Sequence, residues 1–561
     1  MKQINKVILM GTLLVAVLGS SCKKSFYDIN KDPNNAVESN ISPDLVVAQA
    51  LLNSANRTGT SFSFLNLWLG YWAPSSGFAP AVEEQSYNIN TNFASGLFNG
   101  LLDNAYDYQF MEIKAAESKQ TFYQGIAKIM KSHNFAQLVD IYNNVPYSEA
   151  LQGLKAIRPK YDDGKAIYED LIKQIDTGIV LIKGSVESEN INITNADIMF
   201  GGSKTNWVKF ANTLKLRLLM TQSNRTDRAS YIQAEMAKIV SEGSGFLGSG
   251  QDAAVKPAYT SDKPNAYYAS FGFTPTGTPA TSYYRGNVVA MNYLKVNADP
   301  RLSYFYKPII ANPAQVTLEP LQTLPPNTFR GNQYGLPIDN STYKFQAGDW
   351  VSQVGGIATA GAVTGASAGL VKGYNQSMWL ITSVESAWLQ AEAIYKGFLS
   401  GDAKAAYKNA IRESFRWLNV GGSTADADAA FNTWYDGQVT LANKNVDWDL
   451  NAAAADKSRL IMFQKYLSMN GLGGLQVWTD FRRSTGGVAQ TDPDPTKYAP
   501  GNPGSGTYPY LDLSMNPGRS SSVIPVRMLY PQRELELNTS NVPTSGVQSG
   551  DQFTAKIWWM P

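Results

Sequence analysis

The stretch from Ser383 to Asn419 constrains the fold most. Ser383 can cap a helix running through Tyr395, which Gly397 helps to end, and Asp402 can cap a second running through Leu418. Two helices of this length joined by a few residues have to lie side by side as an antiparallel hairpin. Neither has enough apolar surface to stand alone, so the hairpin implies a body of further helices around it.

The rest of the chain supplies them. Pro43 to Ser54 opens with Ser42 as a cap and carries apolar residues three and four apart. Ser63 to Tyr71 places Trp68 and Trp72 one helical turn apart. Asn99 to Ala116, Thr121 to Tyr142, Ile167 to Ile182 and Lys204 to Gln222 continue the periodicity. In the hairpin, Ala391, Ala393, Gly397, Ala403, Tyr407 and Phe415 are arranged much as in a tetratricopeptide unit, where small residues let paired helices approach. A generic helical hairpin accounts for them equally well, and no strict repeat runs through the chain.

Between about residues 244 and 372 the pattern breaks. Gly, Pro, Ser, Thr and Tyr dominate, as in Tyr267-Tyr268, Ser282-Tyr283-Tyr284 and Gly348-Asp349-Trp350, and helical periodicity is lost. This reads as a loop-rich insertion in a helical body, and long ordered loops often carry function. A second loop-rich section covers 486–522.

The amino terminus reads as an address. Lys2 and Lys6 precede an apolar run from Val7 to Leu18, followed by Gly19-Ser20-Ser21-Cys22. Charge, a short apolar stretch and small residues form a secretory signal, and the run is too short to span a bilayer. Small residues directly before Cys22 look like a bacterial lipobox, although Gly19 stands where Leu is usual. Residues 1–21 are then the signal, Cys22 the lipidated first residue of the mature chain, 22–40 a polar tether and 41–561 the folded domain. Cys22 is the single cysteine, so no disulfide can form within the chain. Asp28, Asn30 and Asp32 have the opening spacing of a calcium loop, but Pro33 stands where Gly is required.

Composition narrows the function. With one His and one Cys, a Cys/His zinc site is excluded, and His133, on a helix between Ser132 and Asn134, reads as structural. The formal net charge of +2, from 48 basic and 46 acidic residues, gives no reason to expect nucleic acid. No cofactor is implied: Gly201-Gly202 and Gly248-Ser249-Gly250 lack the Lys-Ser/Thr of a phosphate loop. Glu83-Glu84 and Asp162-Asp163 are adjacent carboxylates whose side chains diverge, so no catalytic residue is assigned. A hydrolase stays unsupported rather than excluded.

The aromatics are the unusual term, with 30 Tyr, 23 Phe and 12 Trp. Flat rings suit the apolar face of a pyranose. Tyr71 and Trp72, where a helix ends and a loop begins, and Tyr283, Tyr284 and Trp350 in the insertion are the candidate ligand-binding residues.

Several blocks together resemble the SusD/RagB family of surface lipoproteins from Bacteroidetes-type bacteria. They are Phe26 to Asn35, Asn144 to Ala150 with Pro159 to Asp162, Trp207 to Arg217, the hairpin from Ile381 to Asn419, Gln464-Lys465-Tyr466, Trp478 to Arg483, Ile524 to Arg527 and Lys556 to Trp559. Their colinear order carries the resemblance. It implies a mainly α, right-handed, tetratricopeptide-like superhelix with irregular loops. It also implies a cell-surface outer-membrane lipoprotein that binds a nutrient, a glycan or alternatively a peptide, without catalysis. The partner it implies is a SusC-like TonB-dependent transporter. Lys23 and Lys24 depart from the acidic residues that often follow the lipidated Cys in exported members, which leaves the facing leaflet open.

Overall fold

The computed structural model describes residues 41–75, 78, 81–309, 328–336, 351–356, 368–489, 507–511 and 513–561. Cys22, the signal and tether segments and Trp350 lie outside them. The long helices are α1 (Pro43–Thr60), α2 (Gly96–Glu117), α3 (Thr121–Tyr142), α4 (Gly164–Gly184), α5 (Lys204–Thr221), α6 (Ala229–Glu242), α7 (Val288–Val296), α8 (Ser383–Tyr395), α9 (Ala403–Trp417), α10 (Thr424–Thr440), α11 (Ala454–Ser468) and α12 (Gly474–Thr485). They pack as successive antiparallel neighbours: α2 on α3, α3 on α4, α4 on α5, then α8 on α9 and α9 on α10. No helix among the described residues is long and apolar enough to cross a membrane.

The hairpin forms as its sequence dictates, with adjustments at the caps. Asp402 accepts from the backbone N–H groups of Lys404 and Ala405 and starts α9. The cap of α8 is Thr382, one residue before the expected Ser383, because the Thr382 hydroxyl accepts from the Glu385 N–H. Ser42 makes no cap bond; its hydroxyl donates to the Asp44 carboxylate instead. Pro43 and Asp44 in the first turn of α1 suit a helix start without it.

Helices α3 and α4 approach closely through a reciprocal glycine pair. A Cβ on Gly178 would lie 2.8 Å from Ile129 Cγ1 and 3.0 Å from the Gly125 carbonyl oxygen. One on Gly125 would lie 2.6 Å from Ile182 Cγ1 and 2.8 Å from the Gly178 carbonyl oxygen. The helix surfaces therefore touch backbone to backbone, and Ile129 and Ile182 fill the space a side chain would take.

Strands are few and short. β1 (Trp72–Pro74) pairs antiparallel with β5 (Tyr284–Gly286), β2 (Val145–Pro146) with β3 (Tyr161–Asp162), and β4 (Ala253–Val255) with β6 (Met378–Ile381). β1–β5 and β4–β6 each tie a segment of 244–372 or its edge to the helical body. That stretch also holds α7 and the short helices Ala266–Phe271 and Leu302–Phe305. Asn caps hide these helices from a periodicity scan: Asn265 and Asn287 each accept a first-turn N–H inside Gly- and Tyr-rich sequence.

A buried ion network joins α8, α11 and α12. Arg483 grips Glu392 bidentately at 2.6 and 2.7 Å and reaches Asp480 Oδ1 at 2.9 Å. Lys465 Nζ lies 2.8 Å from Asp480 and 3.7 Å from Glu392. All four side chains are enclosed, and two cations face two anions. Burial alone would raise the Glu392 carboxyl, but Arg483 and Lys465 overcome it and hold the group below its usual value.

Two outcomes are expected in urea unfolding. Gly178→Val forces the α3–α4 crossing apart and lowers stability by about 1–3 kcal/mol. Glu392→Gln leaves two buried cations sharing one carboxylate and costs about 3–5 kcal/mol. An unchanged midpoint in either variant refutes the corresponding packing account.

Candidate functional site

The aromatic residues singled out from the sequence converge on the β1–β5 ribbon, in different roles. Helix Ser63–Trp68 stops before the expected Tyr71, and Gly70 takes a left-handed φ of 72° that turns the chain into β1. Trp72 therefore begins a strand and does not sit on a helix edge. It pairs with Gly286, while Asn287 N–H donates to the Tyr71 carbonyl at 2.9 Å.

That geometry corrects two expectations. Tyr71 and Trp72 cannot offer a ring to a ligand, because both are enclosed. Tyr71 stacks on Tyr466 at 4.5 Å and donates its hydroxyl to the Tyr466 carbonyl at 2.6 Å. Tyr466 returns the bond to the Leu69 carbonyl at 2.7 Å. Trp72 packs between Phe271, at 4.8 Å, and Tyr284, at 5.3 Å. Both residues are scaffold beneath the surface.

Tyr283 and Tyr284, one strand away, stay partly exposed. They meet edge to face at 5.0 Å, and Tyr283 meets Phe78 in the same way at 5.2 Å. Phe78 is 38% exposed, so this edge presents aromatic surface to solvent. Behind it runs an unbroken file of rings: Tyr284, Trp72, Phe271, then Tyr267 at 4.8 Å, Trp379 at 4.8 Å and Trp417 at 5.4 Å. The exposed edge is thus the end of a rigid aromatic stack.

Next to that edge lies a groove of about 520 Å³ lined by Arg57, Ser61, Ser63, Phe64, Glu84 and Phe93, among others. The Ser63 and Tyr284 hydroxyls share a hydrogen bond at 3.1 Å, which joins groove and aromatic edge. Phe93 stacks on the buried Trp68 at 5.9 Å, and Phe64 meets both rings edge on. Trp68 Nε1 donates to the Glu84 carbonyl at 3.1 Å, as does the Tyr334 hydroxyl at the same distance, which fixes the groove wall.

Burial lifts the Glu84 carboxyl to about 7, against the hydrogen bond from Tyr334. Near neutrality the groove therefore holds a carboxyl able to donate as well as accept, beside the Arg57 guanidinium and the Ser61 and Ser63 hydroxyls. Flat rings and mixed donors and acceptors on one surface suit a polyhydroxylated ligand.

Phe64, Phe78, Glu84, Phe93 and Arg57 were not singled out from the sequence. Phe78 was the most accessible of them, a lone aromatic in Ser-Ser-Gly-Phe-Ala-Pro, four residues past the strand that Trp72 begins. Nothing local marks Glu84, whose carboxyl is raised by burial and bonded by Tyr334, 250 positions later.

Other candidate chemistry is occupied structurally. Glu83 accepts the Asn90 N–H at 2.7 Å. Asp163 caps α4, and Asp162 accepts from Tyr147 and Ser148. His133 is buried and bonded to Gln137, and burial beside Arg217 depresses its pKa to about 3. Among the described residues no three His, Cys, Asp or Glu side chains converge as metal ligands.

The Glu84 shift gives a pH prediction. Its folded pKa is raised from 4.5, so the folded chain binds the proton more tightly than the unfolded one. The stabilisation is full below about 4.5 and declines as pH rises to about 7. Glu84→Gln is expected to flatten the pH dependence of the unfolding midpoint across that window, and an unaltered slope contradicts the burial argument.

Comparison with known proteins adds the following. A family model of SusD-like proteins, described as starch-binding and associating with the outer membrane, matches residues 33–495. No curated protein sequence matches. Solved structures do. A SusD homologue from Bacteroides fragilis aligns with a TM-score of 0.67 at 18% identity, over 92% of this chain and 99% of its own. A SusD/RagB family protein from Bacteroides thetaiotaomicron aligns at 0.66 and 19% identity, over 92% and 99%. A chitin-binding SusD homologue from Flavobacterium johnsoniae aligns at 0.66 and 19% identity, over 92% and 98%. The mainly helical, tetratricopeptide-containing fold is shared.

Proposed function

The chain belongs to the SusD-like family, and on that premise we propose that it is a surface lipoprotein that captures an oligo- or polysaccharide and delivers it to a SusC-like TonB-dependent transporter. Nutrient binding at the outer membrane is what the family description supports. Three finer points are this proposal's own: a glycan ligand, a lipid anchor at Cys22 and a transporter partner.

One observation carries the glycan reading. The partly exposed Tyr283, Tyr284 and Phe78 end a rigid file of rings beside a groove of hydroxyls, a guanidinium and a protonatable carboxyl. Preorganised rings bind with little loss of side-chain freedom, and the neighbouring polar groups fix the orientation of hydroxyls. The chitin-binding relative is in keeping with it. Binding without bond cleavage is part of this proposal; in its support, Glu83 and Asp163 are engaged in local hydrogen bonds, and Glu84 is the one carboxyl among the described residues lining the groove.

Calorimetric titration of the full chain in detergent against plant, fungal and host glycans tests this reading. Saturable heat without new reducing ends is expected for at least one glycan. Tyr283→Ala and Phe78→Ala are each expected to weaken that glycan about tenfold, the cost of one well-packed ring. Binding of peptides but no saccharide transfers the protein to the peptide-capturing branch. Release of product, abolished by Glu84→Gln, makes it a hydrolase. Cys22→Ala is expected to leave the chain without acyl groups and out of the membrane fraction; an acylated mutant overturns the anchor.

A further inference from the structure

A second cavity, of about 220 Å³, lies at the other end of the aromatic file, where Trp417 ends α9 and the chain enters β6. Its lining includes Asp252, Lys256, Lys372, Asn375, Ser377 and Trp417. The Lys372 ammonium sits 4.0 Å from the centre of the Trp417 ring. It makes no ion pair and no hydrogen bond with any described residue.

An ammonium carries three donors, and a half-buried one with no acceptor among the described residues gives up part of its hydration without a replacement. Asp252 is the carboxylate lining the cavity, and its oxygens are directed elsewhere: Oδ1 accepts the Ser383 N–H at 2.7 Å and Oδ2 accepts Trp417 Nε1 at 2.9 Å. Lys256 adds a second cation at the mouth. The backbone around Lys372 is held, since its N–H donates to the Gln376 side chain at 2.9 Å, which in turn donates to the Leu370 carbonyl at 3.1 Å. Asn375 and Ser377 keep uncommitted polar groups on the same wall.

We propose that this cavity binds the carboxylate of a small acidic ligand the size of one uronic acid, with Lys372 as its anchor. The carboxylate supplies the acceptors that Lys372 lacks, the Trp417 face holds the ammonium in position, and Asn375 and Ser377 bond the remainder of the ligand. Burial lowers the Lys372 pKa to about 8, so the amine is mostly charged at neutral pH and gains from an anionic partner. Lys256 and Asp252 are the other titratable groups lining the cavity, and one positive charge remains among the three. The site does not depend on the glycan assigned to the groove by Tyr283, because the residues of the two do not overlap.

The test titrates the full chain in detergent with D-glucuronate, D-glucose and acetate. Saturable binding of glucuronate is expected, with no response to glucose and at least tenfold weaker binding of acetate. Lys372→Met is expected to weaken glucuronate at least tenfold while leaving glycan binding at the groove unchanged. Without any substitution, glucuronate is also expected to slow acetylation of Lys372 by acetic anhydride, read residue by residue by mass spectrometry. Acetate binding as tightly as glucuronate overturns the size assignment. No saturable glucuronate binding, full binding by a folded Lys372→Met, or unprotected Lys372 overturns the site.

Discussion

The Glu392–Arg483–Lys465–Asp480 cluster is the interaction on which the arrangement of the helices depends. It closes the hairpin α8–α9 onto α11 and α12 through enclosed side chains, two cations against two anions. Such a cluster is poor value as raw stabilisation, because desolvation consumes most of the attraction. It is demanding about geometry, however, since any other register leaves a naked charge in the core. Nearby, the buried Arg301–Asp299 pair works in the same way. Arg301 reaches Ser414 on α9 and both Gln464 and Ser468 on α11, so the segment before β6 is locked to the hairpin by directional bonds.

These polar locks explain how loop-rich sequence becomes a firm platform. The β1–β5 ribbon is only a few residues long, yet it rests on Tyr71, which donates to the Tyr466 carbonyl across 395 positions, and on Tyr466, which donates to the Leu69 carbonyl. Above that exchange the rings of Trp72, Phe271 and Tyr284 are wedged together, and the surface pair Tyr283–Phe78 inherits their rigidity. Preorganisation at the surface is therefore built from beneath, by residues that never meet a ligand.

What was legible in the sequence follows the range of the forces involved. Helices whose signals are local were read closely: α3 has the expected bounds, α8 ends at Tyr395 as expected and begins one residue early, and Asp402 caps α9 as anticipated. The family resemblance was legible as well, because its blocks lie in colinear order along the chain. Trp72 was misplaced because its helical spacing from Trp68 is overridden by Gly70 and by a strand partner more than two hundred residues away. α7 and Ala266–Phe271 were hidden by surrounding glycines and tyrosines, although their Asn caps were visible in principle. Glu84 was beyond reach, since its environment is made by Trp68 and Tyr334 from opposite directions along the chain.

The end of α3 depends on residues far along the chain. Its last carbonyls are bonded from much later in the sequence: Asp140 by Arg482, Ile141 by the Met528 N–H, and Tyr142 by Arg527 and Tyr530. The Asp140 side chain awaits Trp559, and Asn143 awaits the backbone of Trp558. A chain emerging amino end first cannot complete its earliest helices until these partners arrive, and contacts of such sequence separation form slowly. Until then the unfinished apolar faces are exposed to aggregation and proteolysis. The wiring of α3 thus ties the finish of one of the earliest helices to residues close to Pro561.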